Sequence, residues 1–497
     1  MNGPLPQSYL ENKSTETARP VAPVIYTSIP GRLDRLPWSV FHLKLVLALG
    51  ITWVLDGLEV TLVGTMGAVL QRPDTLGLSG EEIGAAASAY VTGAVVGALF
   101  FGYLTDRLGR KRMFFLTLAI YLTGVLWSAF AWNGWSFALF RLLTGLGIGG
   151  EYAAINSAID EWMPARLRGR VDLIVNGSFW IGAALGAGVT LVLFDWALIP
   201  AGLGWRFGFA FGAALGLVIL GMRRYVPESP RWMIIHGKAG EAERLVAEIE
   251  RQVERKTGRA LPLVTTDLAL DCHPALGFRP ILGAVTGQYR RRGFLGLMLM
   301  TAQAFFYNSV FFTYSLVLVR FYGVEAEKAG LCVFPLALGN WMGPLLLGYF
   351  FDAVGRRRMI AGTFTAAGLL LGANSWAFAC GLLSAREQIL LWTVVFFLAS
   401  AAASSAYLTV SEIFPLEIRA LAIAFFYAVG TGLGGSVAPW LFGRLIEAGA
   451  RSDLSLGYLI AAVLMLVAGV TEWIFGVDAE NQGLETVAQP LSAAKQS

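Results

Sequence analysis

Apolar residues along this chain gather into twelve long runs separated by polar turns. The runs cover residues 43–70, 83–104, 113–131, 135–159, 171–193, 205–222, 293–320, 330–351, 359–380, 388–410, 418–443 and 454–477. About 20 mostly apolar residues cross a bilayer, and in hydrocarbon a helix satisfies its own backbone polar groups. The pattern therefore predicts an all-α, polytopic membrane protein with twelve spanning helices. One long polar interval divides the runs six and six. The expected layout is an arm at 1–42, a six-helix bundle at 43–222, a central loop at 223–292, a second bundle at 293–477 and a tail at 478–497. Within the loop, Ala239–Lys256 reads as a surface helix with Leu245, Val246, Ile249 and Val253 on one stripe. The polar, Pro-containing arm carries no signal-peptide pattern and is expected to be disordered.

Composition agrees with this pattern. The 497 residues are 56% hydrophobic and 14% charged, against ~25% charged in soluble domains. The net charge of +4 marks the cytoplasmic side rather than a nucleic-acid partner. With both termini inside a cell membrane, 30 of the 38 Lys and Arg fall on the inner side, as the positive-inside rule requires. Cys272, Cys332 and Cys380 make no metal spacing, and no disulfide is expected. Three His and no nucleophile elbow or phosphate loop argue against an enzyme, and neither cofactor nor metal is expected. The expected partners are a small-molecule substrate, protons and the bilayer, with the chain working as a monomer.

Two phrases recur. Gly102–Met113 (GYLTDRLGRKRM) and Gly348–Met359 (GYFFDAVGRRRM) share seven of twelve residues. Glu161-x-x-Pro164-x-x-x-Arg168 returns as Glu412-x-x-Pro415-x-x-x-Arg419. Their order is the same in each half, so the chain is a duplication with a site expected between two pseudo-symmetric halves. The repeated G-x-x-x-D-x-x-G-R-[RK] phrase resembles the signature of the major facilitator superfamily, over the full membrane length. Val226-Pro-Glu-Ser-Pro-Arg-Trp-Met233, the Glu-x-x-Pro-x-x-x-Arg phrases and Ala479-Glu-Asn-Gln-Gly-Leu-Glu485 resemble its sugar-porter and metabolite–proton symporter branch. The last phrase lacks the Pro and Thr of the sugar-porter pattern, which leaves the exact branch open. The resemblance implies a secondary transporter with a cytoplasmic gate made of Asp106, Arg110, Glu161, Arg168, Asp352, Arg356, Glu412 and Arg419. Single exposed pairs contribute little, ~0–1 kcal/mol, but a network can bias two states that lie a few kcal/mol apart.

Ionisable residues inside the runs are functional candidates. Asp56 and Glu59 in the first run are three apart and share a helix face. Two neighbouring carboxylates out of water do not both ionise cheaply, so one is expected to hold a proton near neutral pH. Arg141 in the fourth run has no adjacent acid, and the first run is its natural source of one. Glu151 lies ten residues on, ~15 Å along the axis. Glycines at 145, 147, 149 and 150 thin the helix for a close neighbour. The helix-one acids and Gly149-Gly-Glu151-Tyr152 resemble proton-coupled phosphate symporters, where the matching positions serve coupling and binding. Ser309 stands where that family has Asp, and the eleventh run has no Lys, so phosphate is not the leading cargo. In sugar–proton symporters an Arg matching Arg141 pairs with a helix-one acid. Asp56, Glu59, Arg141 and Glu151 are therefore the coupling candidates.

The seventh run, Gln303-Ala-Phe-Phe-Tyr307-Asn308, keeps the Gln and Asn spacing of sugar porters but loses their Ser-Gly and tyrosine pair. Tyr152, Asn176, Trp180, Gln303, Tyr307, Asn308, Asn340, Trp341 and Tyr407 are the substrate-binding candidates, since pockets combine apolar walls with a few polar groups. The cargo expected is a small polar metabolite, an organic acid or a sugar-like molecule, with Arg141 able to pair a carboxylate. Proton symport leads; facilitated or antiport efflux and a non-transporting nutrient sensor are the alternatives.

Overall fold

The computed structural model describes residues 24–195, 202–264, 268–271, 283, 287, 289–311, 313–325 and 331–489. Among these residues each apolar run lies in helix. The first half holds α1 (Val40–Leu70), α2 (Gly80–Leu108), α3 (Arg110–Ser128), α4 (Gly134–Trp162), α5 (Arg168–Gly177 and Phe179–Asp195) and α6 (Gly204–Met222). The second holds α7 (Arg290–Val310, continued by Tyr314–Tyr322), α8 (Val333–Ala353), α9 (Arg356–Ala379) and α10 (Ala385–Ile413). It ends with α11 (Arg419–Gly430, a π turn Thr431–Gly435, then Ser436–Ala448) and α12 (Arg451–Phe475).

Length and composition alone qualify seven of these as membrane spans: α1, α2, α5, α6, α8, α10 and α12. The two parts of α7, bent by 42°, make an eighth if they form one span. The remaining four are more polar or broken for visible reasons. Both α3 and α9 open on three basic residues, α4 carries Arg141, Glu151, Asp160 and Glu161, and α11 is interrupted by its π turn. Large apolar side chains such as Phe100, Val192, Val218, Leu369, Trp376 and Val470 face outward. So extensive an apolar surface belongs against lipid rather than water.

Local chemistry sets the helix ends. Ser79 with Glu82, Asn133 with Ser136 and Ser384 with Glu387 form reciprocal capping boxes at the starts of α2, α4 and α10, satisfying backbone donors that a first turn leaves open. In the α2–α3 and α8–α9 turns, Gly109 and Gly355 adopt φ of +96° and +117°, which a side chain opposes. The α4 glycines let α2 approach: a Cβ at Gly145 or Gly149 would fall 2.0 Å from the carbonyl oxygen of Tyr90 or Ala94.

The arm departs from the expected disorder. Within it, β1 (Val24–Thr27) pairs antiparallel with β2 (Leu268–Asp271) of the central loop, and a short helix, Ile29–Asp34, follows. Ile29, Leu33 and Leu36 are buried, an apolar stripe at three- and four-residue spacing too short to stand out among polar neighbours. Residues 1–23 lie outside the described residues, as does Cys272; neither Cys332 nor Cys380 is in a disulfide among the described residues. The loop helix runs Ala239–Thr257 and buries Ala242, Val246, Ile249 and Val253, with Leu245 half-buried. Arg32 and Arg35 of the arm both pair with its Glu250.

Candidate substrate cavity and charged cluster

A cavity of about 180 Å³ lies between the halves. From the first half, α1 contributes Trp53 and Val60, α4 Tyr152, and α5 Asn176, Phe179 and Trp180. From the second, α7 contributes Gln303 and Tyr307, with Phe311 just beyond its first part, and α10 contributes Ser400, Ala403, Ser404 and Tyr407. The walls are aromatic. Trp53 stacks on Tyr152 at 4.6 Å between centroids, and Trp180 meets Phe311 edge-on at 4.9 Å. Six of the nine predicted binding residues line this space. Asn340 stands one step behind it, accepting the Tyr307 hydroxyl at 2.7 Å. Asn308 turns its amide back to the Ala304 carbonyl at 2.7 Å, and Trp341 is half-buried away from the cavity. Trp53, Val60, Phe179, Phe311 and the two serines had no distinguishing signal in a chain with 15 Trp and 32 Phe.

Beside the cavity lies a buried acidic cluster. The Arg141 guanidinium forks onto Glu59, with Nη1 on Oε1 and Nη2 on Oε2, the latter at 2.9 Å. Its carbon also lies 4.9 Å over the Tyr90 ring. Helix one does supply the partner of Arg141, but that same bond occupies the fork expected for a substrate carboxylate, and Arg141 does not line the cavity. Asp56 accepts the Tyr90 hydroxyl at 2.8 Å and the Tyr152 hydroxyl. The two helix-one acids are thus separated, one facing a cation and one facing phenols. Glu151 accepts Thr117 Oγ1 and Arg223 Nη2. Arg223 follows α6 and looked from sequence like one more basic residue of the loop.

At the end of the bundle where the repeated phrases lie, the eight predicted gate residues form one cluster with matched halves. Arg110 Nη2 lies 2.7 Å from Glu161 and 3.2 Å from Asp106. Arg356 repeats this with Glu412 at 3.0 Å and Asp352 at 2.6 Å. Each aspartate also reaches across the interface to a helix start. Asp106 accepts the Leu421 N–H at 3.0 Å, and Asp352 accepts those of Gly169 and Arg170 at 3.2 and 2.8 Å. A carboxylate at a helix N-terminus is favourable in both charge and hydrogen bonding. Two longer pairs cross as well, Arg168 to Glu412 at 3.4 Å and Arg419 to Glu161 at 3.7 Å.

Two of the three features that marked the branch, Val226–Met233 and Ala479–Glu485, brace the charged cluster. Glu228 accepts the N–H groups of Arg110 and Lys111 at 2.9 and 3.2 Å, and Glu480 accepts that of Arg356 at 3.2 Å. Arg231 joins the phrases directly, its Nε 2.7 Å from Glu485. Burial pushes the Glu485 carboxyl up, but Arg231 outweighs this and holds it below its ordinary value. Burial raises Asp34 above its usual range, against the pull of Arg231 and Arg168. These capping and bridging roles act between residues more than a hundred positions apart, which no local pattern reports.

Two helical halves enclosing a cavity, an apolar exterior and an ion-paired interface define a membrane transport protein. The family model described as "Sugar (and other) transporter" matches residues 56–490, and the chain belongs to this family of the major facilitator superfamily. It is similar to the niacin transporter NiaP of Acinetobacter baylyi, 26% identical over 460 residues, 92% of this chain and 98% of that protein. It is 28% identical over 476 residues to the putative metabolite transport protein YdjK of Escherichia coli, covering 92% and 97%. The solved structure of the Escherichia coli proton:xylose symporter XylE bound to 6-bromo-6-deoxy-D-glucose superposes with a TM-score of 0.72 at 19% identity, covering 90% of this chain and 98% of that one. That likeness shows the fold. The protein is a multi-pass membrane transporter of small molecules and not an enzyme.

Proposed function

We propose that this transporter is a proton symporter that imports a small aromatic organic acid by alternating access. The observation that carries the reading is Tyr152. Its ring is cavity wall, stacked on Trp53, while its hydroxyl donates to Asp56. Cargo and buried carboxylate therefore share one side chain. Asp56 and Glu59 are the proton-carrying groups, and protonating Glu59 would release Arg141 from its fork. A buried ion pair contributes little net stability, which favours a working role for this one. Glu151, held by Thr117 and Arg223, supports α4 beneath Tyr152.

Flat aromatic walls suit a ring, and Asn176, Gln303, Ser400 and Ser404 are the polar groups for a carboxylate or ring nitrogen. The likeness to a protein named a niacin transporter points the same way. The positively charged end is the cytoplasmic one, with both termini inside a cell membrane, and its eight-residue cluster is the inner gate that ties the halves in one state and parts in the other. The test is uptake into proteoliposomes with an acid-outside gradient, using nicotinate and xylose as probes. Nicotinate should accumulate, and Glu59→Gln should abolish accumulation while retaining nicotinate exchange. Nicotinate flux indifferent to the gradient would overturn symport; xylose flux without nicotinate flux would overturn the acid reading.

A further inference from the structure

The charged cluster contains two carboxylates that its ion pairing does not use. Asp106, Glu161, Asp352 and Glu412 are matched by Arg110, Arg168, Arg356 and Arg419. Asp160 on α4 and Asp172 on α5 are surplus to that balance. Both are fully buried. Among the described residues none of their four carboxylate oxygens makes a hydrogen bond of full geometry, nor does the buried Oδ1 of Asn176; the nearest donors are Ser411 beside Asp160 and Asn176 beside Asp172.

Helix register places the two aspartates face to face. Antiparallel α4 and α5 are joined by Asn176 Nδ2 donating to Asn156 Oδ1 at 3.1 Å. Asp160 is four residues after Asn156, and Asp172 four before Asn176, so both lie one turn nearer the charged end on the bridged faces. The charged groups facing Asp160 are Glu412, Arg168 and Arg419; those facing Asp172 are Asp160, Glu412 and Arg356. Each of these arginines makes its hydrogen bonds elsewhere: Arg168 to the Gln482 carbonyl, Arg356 to Asp352 and Glu412, and Arg419 through Nε to the Ser411 carbonyl, while Arg419 Nη1 lies 3.7 Å from Glu161 and, like Arg168 Nε, makes no hydrogen bond. The polar neighbours donate away from the two acids, Ser411 to the Leu408 carbonyl and the Asn176 amide to Asn156 and the Asp172 carbonyl. Two facing carboxylates out of water and without a bonded cation do not both carry charge.

We propose that Asp160 and Asp172 form a proton-sharing dyad that holds a proton while the halves are tied at the charged end and surrenders it to water when they part. Asn176 lines the cavity, so the Asn156–Asn176 bridge connects substrate space to the dyad. This is a second proton site, separate from Glu59 and Arg141, and it does not rest on the symport reading because it is read from gate conformation without flux.

The experiment measures the distance between spin labels at Leu108 and Val354, exposed positions beside the two repeated turns, from about pH 5 to about pH 9. In the wild type, opening should rise with pH, by up to about tenfold per pH unit for one linked proton. In Asp160→Asn/Asp172→Asn, the tied population should stay constant within about twofold. Wild-type pH dependence in that variant would overturn the proposal. Should the double variant fail to fold, Asp172→Asn alone should move the opening midpoint by about one pH unit or more, and an unmoved midpoint overturns the proposal equally. Opening driven by sodium chloride but not choline chloride at fixed pH would assign the dyad to a metal cation and overturn the proton. The readout is gate conformation in the absence of cargo and flux, so failure of symport leaves this test standing.

Discussion

Replacing Asp352 by Asn keeps the side chain's shape and removes its charge, so the variant isolates what the carboxylate contributes to holding the halves together. Its oxygens accept Gly169 and Arg170 N–H groups across the interface and Arg356 within its own half. An amide presents one acceptor atom, so one cross-interface bond is lost and an NH2 is turned toward an N–H. A hydrogen bond to a charged acceptor contributes about 1.5–3 kcal/mol. Arg356 keeps Glu412 at 3.0 and 3.1 Å, so the loss falls mainly on the interface. About 2 kcal/mol against the tied state is a shift of roughly 30-fold toward the parted one. Asp106 accepts a single cross-interface N–H, that of Leu421, and Asp106→Asn retains an acceptor for it. Its shift should be roughly fivefold or less. Spin labels at Leu108 and Val354, in a background with Cys272, Cys332 and Cys380 replaced by Ser, read both populations. Either an equal or larger shift in Asp106→Asn, or no shift in Asp352→Asn, refutes the reasoning.

Other consequences follow from the same contacts. Gly109→Ala should lower the melting temperature more than Gly355→Ala, because the new Cβ would lie 2.2 Å from Glu228 against 2.8 Å from Glu480, in addition to positive-φ strain of about 1–3 kcal/mol in each; differential scanning fluorimetry checks the order. Burial pushes the Glu250 carboxyl up, but hydrogen bonds from Arg32 and Arg35 reverse this and hold it below its ordinary 4.5. A lowered folded value stabilises arm docking above 4.5 and loses that contribution as pH falls through the folded value. Limited proteolysis should therefore find the arm protected near neutral pH and released under acid, and Glu250→Gln should release it at neutral pH. Tyr152→Phe keeps the ring on Trp53 and deletes one of two hydroxyl donors to Asp56. Nicotinate affinity should stay within about threefold while stimulation by a pH gradient falls about tenfold; affinity and stimulation falling together would count against Tyr152 as the link.

What sequence could show depended on whether a residue's partner was encoded nearby or in a repeat. The twelve runs were legible because apolar length is a property of each segment. The charged cluster was legible because it is written twice, so Asp106 and Asp352, and Glu161 and Glu412, identified one another. Glu59 with Arg141 was half legible, since a buried arginine demands an acid and helix one offered two. Arg223 on Glu151, Glu228 and Glu480 on the two turns, and Asp34 beside Arg168 were hidden, because each contact joins segments whose approach only the folded bundle determines. The arm shows the same limit: Ile29, Leu33 and Leu36 look ordinary until the loop helix supplies the surface that buries them.

The duplicated frame also exposes where the halves differ. The offset that carries Glu161 to Glu412 and Arg168 to Arg419 carries Asp160 to Ser411 and Asp172 to Ile423. Likewise Asp56, Glu59 and Arg141 lie in the first half. Tying two halves together is reciprocal, because each half's aspartate caps a helix of the other and the device works only when present on both sides. Moving a proton is not reciprocal. One path through one half suffices, and a matching set in the second half would bury further charge with no further gain. Under the proposed proton coupling, the buried first-half acids that lack a counterpart are the groups that would carry it. By that criterion the cavity-side pair and the gate-side dyad lie on one side of the molecule, joined through α4 by Tyr152, Asn156 and Asp160, each four residues from the next on a single helix face.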